Sequence, residues 1–219
     1  MMDLGVSPEQ LLLSAEQTLY MVFVALAIGS ILALLIAVTL VVSRQQGLVP
    51  NRRIYVLLNS VVNTIRSVPF IILLVFILPL TKLIVGTRIG TTAALVPLVV
   101  FITPYLARLF ENSFLEVNPG IFETAKSMGA SYWETIWYFL LPEAKGSLIL
   151  SVTTGTIGLL GATAMAGAIG AGGVGDLALT YGYERMNFPL MLFTVIVLVV
   201  FVQLIQSAGN FFAAKARGH

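Results

Sequence analysis

An all-α integral membrane protein with about five transmembrane helices is the fold class this sequence predicts, and three observations predict it. The 219 residues are 58% hydrophobic and only 10% charged, whereas ordinary soluble domains carry about 25% charged residues. So few charges cannot cover a water-facing surface, and much of this surface must therefore meet lipid. The mean hydropathy of +0.97 agrees. Finally, the apolar residues come in long uncharged runs. The run at 18–42 has 25 residues, which as a helix reaches roughly 37 Å and crosses a ~30 Å hydrocarbon core with some tilt.

Further uncharged runs lie at 67–81, 89–107, 146–175 and 186–214. The second is short and extends through Lys82, whose stem can snorkel. Spans are expected at about 18–42, 66–85, 89–110, 146–169 and 189–212, within a single membrane domain covering 1–219. Residues 54–65 are amphipathic. Asn59, Ser60, Asn63, Thr64 and Ser67 share one helical face, so this segment either lies in the interface or extends span two inward. The first run is too long for a cleavable signal core and follows Asp3, Glu9 and Glu16. The positive-inside rule sets the orientation. With the C-terminus inside, inner segments hold Arg44, Arg52, Arg53, Arg108, Lys126, Lys145, Lys215 and Arg217. Outer segments hold Lys82, Arg88 and Arg185. The expectation is N-terminus outside and C-terminus cytoplasmic.

Several chemistries are excluded. There is no cysteine, and the single histidine, His219, is the last residue, so thiolate and multi-histidine metal sites cannot be built. A net charge of +2 leaves no footprint for nucleic acid. The run from Gly170 to Gly175 matches G-x-G-x-x-G, but a membrane span precedes it. Asp176 and Glu184 also follow too soon for the dinucleotide fingerprint. No G-x-x-x-x-G-K-[ST] phosphate loop occurs, so this chain is not expected to hydrolyse ATP. No carboxylate falls within a span, Glu111 lying at the inner end of span three. Proton- or sodium-coupled carriers usually need one, and its absence points to an external energy source.

The inner loop at 111–145 carries the most specific signal. Asn118 can cap a helix with Pro119 at its first position, and Gly129 can end it in a left-handed conformation. Ser131 and Glu134 complete a capping box for a second helix, which Pro142 stops or bends into span four. Glu123-Thr124-Ala125, three residues, Gly129, nine residues, Phe139, one residue, then Leu141-Pro142 resembles the cytoplasmic loop of ABC importer permeases. The departures from that pattern are Thr124 and Phe139. Arg66-Ser67-Val68-Pro69-Phe70, Val85-Gly86-Thr87, the glycine run 170–175 and Tyr181-Gly182-Tyr183 extend the resemblance to the methionine-uptake subfamily of type I importers.

The resemblance implies that Glu123, Thr124, Ala125, Gly129, Ala130, Leu141 and Pro142 form a coupling element gripped by an ATPase. It implies a homodimer, two ATPase subunits that hold the ATP and magnesium, a substrate-binding lipoprotein outside, and a bacterial inner membrane. No cofactor is expected on this chain. The implied cargo is methionine, D or L, or else another small amino acid or solute.

Span four is rich in small residues, and Gly158, Ala162, Ala166 and Gly170 make a packing stripe at spacing four. Gly161, Thr163, Ala164 and the one large flexible side chain, Met165, are candidates for lining a translocation path. In the outer loop Asp176 reads as a helix cap, and Gly172, Gly173, Asp176, Tyr181 and Tyr183 are candidates for docking a binding protein. Gln203, Gln206 and Asn210 share a face of span five and read as hydrogen-bond glue between helices. A stand-alone channel or secondary carrier, or a structural scaffold, are the rival readings.

Overall fold

In a lipid core every backbone N–H and C=O must be paired within the protein, and a helix does this within a single segment. The computed structural model describes residues 5–218 and so leaves out Asp3 and His219; every regular element among the described residues is helical. Helix α1 spans Pro8–Ser43. It starts about ten residues before the apolar run, because Ser7 and Gln10 form a capping box, with the Gln10 N–H donating to Ser7 Oγ at 3.2 Å and the Ser7 N–H to Gln10 Oε1 at 3.2 Å. Pro8 occupies the first turn, where its missing N–H costs nothing.

Asn51 caps α2 (Arg52–Ser67), accepting from the Arg53 and Ile54 N–H groups at 3.1 and 3.2 Å. Only Val62 of α2 is buried. A 101° bend then separates α2 from α3 (Phe70–Phe76). The bend falls where Val68 is held extended by the proline that follows it. The amphipathic segment is thus its own helix, set across the second span. That span was expected as one stretch at 66–85. It is instead broken at Ile77, with α4 (Leu78–Val85) carrying Pro79 in its first turn, where the ring can give no N–H to the preceding turn.

Helix α5 (Thr91–Leu115) follows, then α6 (Gly120–Ser127) and α7 (Tyr132–Glu134). Six π-helical residues, Thr135–Leu140, join α7 to α8 (Leu141–Gly167), so one helix runs over Tyr132–Gly167. A short α9 (Val174–Asp176) continues into a second π-helical stretch, Leu177–Tyr183. Asn187 caps α10 (Phe188–Ala216), accepting from the Leu190 N–H at 3.2 Å. Among the described residues four helices are long and apolar enough to cross a membrane, and the bent pair of α2 and α3 makes up to five.

Helix α5 is the hub, packed against α1, α2, α3, α4 and α8. Lipid tails are as apolar as leucine, so helices in a membrane associate through close packing rather than through exclusion of water. Small residues provide it. Ala25, Gly29, Ala33 and Ala37 line one face of α1 and are buried, and a Cβ at Gly29 would lie 2.3 Å from Ile102 Cγ2 of α5. Gly155 admits Leu106 on the other side of the hub, and Gly209 of α10 sits over Thr153. The Ser113 and Ser151 hydroxyls bond at 2.9 Å between α5 and α8. Ala162 and Ala166 of the expected stripe are buried at 3% and 0% exposure; Gly158 lies beside Tyr105, and Gly170 falls beyond the helix end.

Backbone meets backbone at Gly175, where a Cβ would lie 2.2 Å from Ala164 Cα. Gly175→Ala is therefore expected to cost about 1–3 kcal/mol, read as a lower thermal midpoint of the purified protein. Gly161→Ala meets nothing within 4 Å inside α8 and should melt no lower than the wild type.

Candidate coupling loop and translocation face

The loop between α5 and α8 folds as its local sequence directs. Asn118 Oδ1 accepts from the Gly120 N–H at 2.9 Å, but the cap position of α6 is held by Pro119, one residue later than expected, and Gly120 is the first helical residue. At the other end Gly129 takes φ +74°. The Ala130 N–H bonds to Ala125 O and the Gly129 N–H to Lys126 O, both at 3.0 Å. This double bond is the Schellman closure, and it needs a residue free to go left-handed. Ser131 then caps α7, with its N–H donating to Glu134 Oε2 at 2.7 Å and the Glu134 N–H to Ser131 Oγ at 3.3 Å. Hydrogen bonding to the Ser131 side chain, and then to its backbone, holds the Glu134 carboxyl below its usual range.

Pro142 does not stop the second helix. It sits in the first turn of α8, directly after the π-helical stretch, where the Leu141 N–H reaches Ile136 O five residues back. Proline supplies no N–H and crowds the carbonyl a turn earlier; the wider π register absorbs both effects. The chain reversal is rigid on both sides. Ala125, Phe114, Val117, Leu140 and Ala144 are all buried at its base, and Ser147 Oγ donates to Glu116 Oε2 at 3.1 Å.

Glu123, Thr124 and Gly129 face outward from this base, with Pro142 exposed and Ala130 and Leu141 half-buried. Beside them stands an exposed apolar surface, a methionine and two aromatic residues, that the motif did not single out. Met128, Trp133 and Tyr138 are 72%, 70% and 74% exposed. Its signal was present in the sequence as aromatic residues in a segment too polar to span the membrane.

A second feature lies near the C-terminal end of α5. Arg108 Nη1 pairs with Glu111, whose side chain is 4% exposed. Nη2 donates to Asn59 Oδ1 at 2.7 Å and Asn63 Oδ1 at 2.9 Å on α2. Arg44, at the end of α1, adds a second positive charge to the field at Glu111. These partners lie 45 and 49 residues from Arg108, so no local pattern announced the cluster.

On α8 the four candidate lining residues separate. Gly161 and Met165 are exposed and share a face with Thr154 and Ala168. Thr163 turns inward at 2% exposure and donates to Leu160 O at 2.7 Å, and Ala164 packs on Gly175. Tyr105, with Phe101 stacked beside it at 6.0 Å, flanks the face near Gly158.

The loop between α8 and α10 is pinned. Gln17 Oε1 accepts from the Gly173 N–H at 2.8 Å and Thr18 Oγ1 from the Val174 N–H at 2.9 Å. The Gly90 N–H donates to Gly170 O at 3.1 Å. Gly172 and Gly173 therefore press against α1 rather than standing out. Asp176 is the third residue of α9, not its cap; it accepts from Thr180 Oγ1 at 2.9 Å. Tyr181 lies under the Arg185 guanidinium at 4.2 Å, and Tyr183 is 64% exposed. On α10, Gln206 Nε2 donates to Asn210 Oδ1 at 3.0 Å along the same helix. For Gln206 and Asn210 the expected glue between helices is instead a bond within one, since side chains four residues apart stack on one face, and Gln203 is exposed. Among the described residues no group of three or more acidic side chains is placed to hold a metal.

Comparison with known proteins bears on these surfaces. Residues 25–218 match the family described as "Binding-protein-dependent transport system inner membrane component". The chain is 46% identical over 206 residues to the probable D-methionine transport system permease protein MetI of Vibrio cholerae, covering 94% of this chain and 92% of that relative. It is 41% identical over 160 residues to the methionine import system permease protein MetP of Bacillus subtilis, covering 73% and 72%. An inward-facing structure of the MetNI methionine ABC transporter, in its native crystal form, superposes with a TM-score of 0.94 at 39% identity, covering 96% of this chain and 99% of that one. An amino acid ABC transporter solved with histidines shares the fold at 20% identity and a TM-score of 0.78. The helical bundle, the capped loop between α5 and α8 and these matches together place the chain in the family of binding-protein-dependent transport system inner membrane components, the permease subunits of ABC importers.

Proposed function

We propose that this chain is the membrane-spanning subunit of an ATP-driven methionine importer of a bacterial inner membrane. The observation that carries the reading is the stiff reversal at Met128–Ser131, held by the Schellman closure and the capping box, in a chain whose relatives are named methionine permeases. Coupling to a separate motor needs a lever that does not flex, and this loop is fixed at both ends of its turn and buried at its base. Two copies of the chain enclose the path, with two ATPase subunits inside and a binding lipoprotein outside. ATP and magnesium belong to the ATPase. The N-terminus lies outside and the C-terminus in the cytoplasm, as the charge distribution favours.

In this mechanism closure of the ATPase pair pushes on Glu123, Thr124, Met128 and Trp133. Because α6 and the base of α8 share one buried core, the push rotates the spans as bodies rather than bending the loop. The open α8 face with Gly161 and Met165 then lines the path, where a flexible thioether packs adaptably on an apolar substrate. The binding protein meets the outer loop at Tyr183, with Tyr181 and Asp176 beside it, while Gly172 and Gly173 hold that loop against α1. Reconstitution of the chain with its ATPase and binding protein, followed by uptake of labelled methionine with and without ATP, tests the reading. Uptake that does not require ATP would contradict it.

Two substitutions probe its parts. Gly129→Val forces a β-branched residue into a left-handed conformation, at roughly 1–2 kcal/mol, and tilts the lever. ATP hydrolysis should persist while uptake falls about tenfold, equivalent to ~1.4 kcal/mol; normal coupled uptake would argue against the lever. Met165→Ala should change uptake or basal ATPase activity in proteoliposomes at least severalfold, and unchanged values of both would remove Met165 from the path.

A further inference from the structure

Helix α2 is poorly anchored by apolar contact. It is 16 residues long and buries only Val62. What holds its polar face is one guanidinium, since Nη2 of Arg108 donates to both Asn59 and Asn63, one turn apart on α2, at 2.7 and 2.9 Å. The other arm, Nη1, is engaged by Glu111, which is buried at 3% exposure. The carboxylate locks the rotamer of Arg108, and the planar fork aims the remaining donors at α2.

The position of Arg108 gives it another role. Arg108 lies seven residues before the end of α5 at Leu115, about 10 Å along the helix axis from the start of the coupling loop. On the far side, α2 runs through the 101° bend into α3 and the broken second span. We propose that Arg108 is a positioning residue that transmits movement of the coupling loop to α2 and the second span through its hydrogen bonds to Asn59 and Asn63. The proposal rests on the importer reading. When the loop displaces the inner end of α5, α2 follows because two directional, charge-assisted bonds connect them. Without those bonds the same displacement reaches α2 only through its packing on α1 and α5.

The test uses the full chain co-purified with its ATPase and binding protein in proteoliposomes, and reads solute taken up per ATP hydrolysed. Asn59→Ala combined with Asn63→Ala leaves the Arg108–Glu111 pair intact and changes only half-exposed or exposed positions. ATP hydrolysis should continue, and the transport ratio should fall about threefold or more, within the range seen when linking residues away from both ligands are changed. Asn63→Asp keeps an acceptor oxygen for Arg108 and should retain the wild-type ratio, while Asn63→Ala alone should lower it. A wild-type ratio in the double variant, or an equal loss in Asn63→Asp and Asn63→Ala, would overturn the proposal. Absence of ATP-driven uptake in the wild type would instead overturn the importer reading itself.

Discussion

Everything else in this protein depends on the reversal between α6 and α7, where Gly129 adopts φ +74° and two hydrogen-bonded closures meet within four residues. A left-handed residue ends one helix and a capping box starts the next, so the chain turns back without a flexible link. The second constraint follows from it. Pro142 would break a strictly α-helical return, yet the π-helical stretch Thr135–Leu140 carries the helix through. The result is one rigid piece from the turn at the loop tip to Gly167, deep in the bundle. A loop of the same length with neither feature would still connect two spans, but it could not transmit a push.

Packing inside the bundle obeys a different rule. With lipid on the outside, close approach replaces the exclusion of water as the source of cohesion. The contacts that matter are therefore at residues with the least side chain: Gly29 under Ile102, Gly155 under Leu106, and Gly175 against the Ala164 backbone. Polar groups supplement them where they can be fully paired, as in the Ser113–Ser151 bond. On α8, Thr154, Gly161, Met165 and Ala168 are exposed along one face. A translocation path between two copies needs such a strip.

Legibility in the sequence followed the range of the interaction. The loop's caps were readable because each bond spans five residues or fewer, and Gly129, Ser131 and Glu134 all act as their types suggest. The long spans were readable from their uncharged runs. The start of α1 at Pro8 was missed, because a run of apolar residues marks the membrane and not the helix. The break at Ile77 and the π-helical stretch before Pro142 were missed because proline announces a disturbance without saying how the backbone absorbs it. Residue facing was only partly legible. Met165 and Thr163 are two positions apart and point to opposite environments, and Gln206 satisfied itself within α10. The Arg108 cluster was invisible, since Asn59 and Asn63 come to it through the tertiary fold alone.

The central claim is that α6 and its turn are gripped by the ATPase. The chain has no cysteine, so a single one can be introduced without background. With Thr124→Cys in the assembled complex, a short bifunctional cross-linker should join this chain to the ATPase subunit, and Tyr183→Cys on the outer loop should give no such product. Absence of a link at 124, or an equal link at 183, would contradict the account.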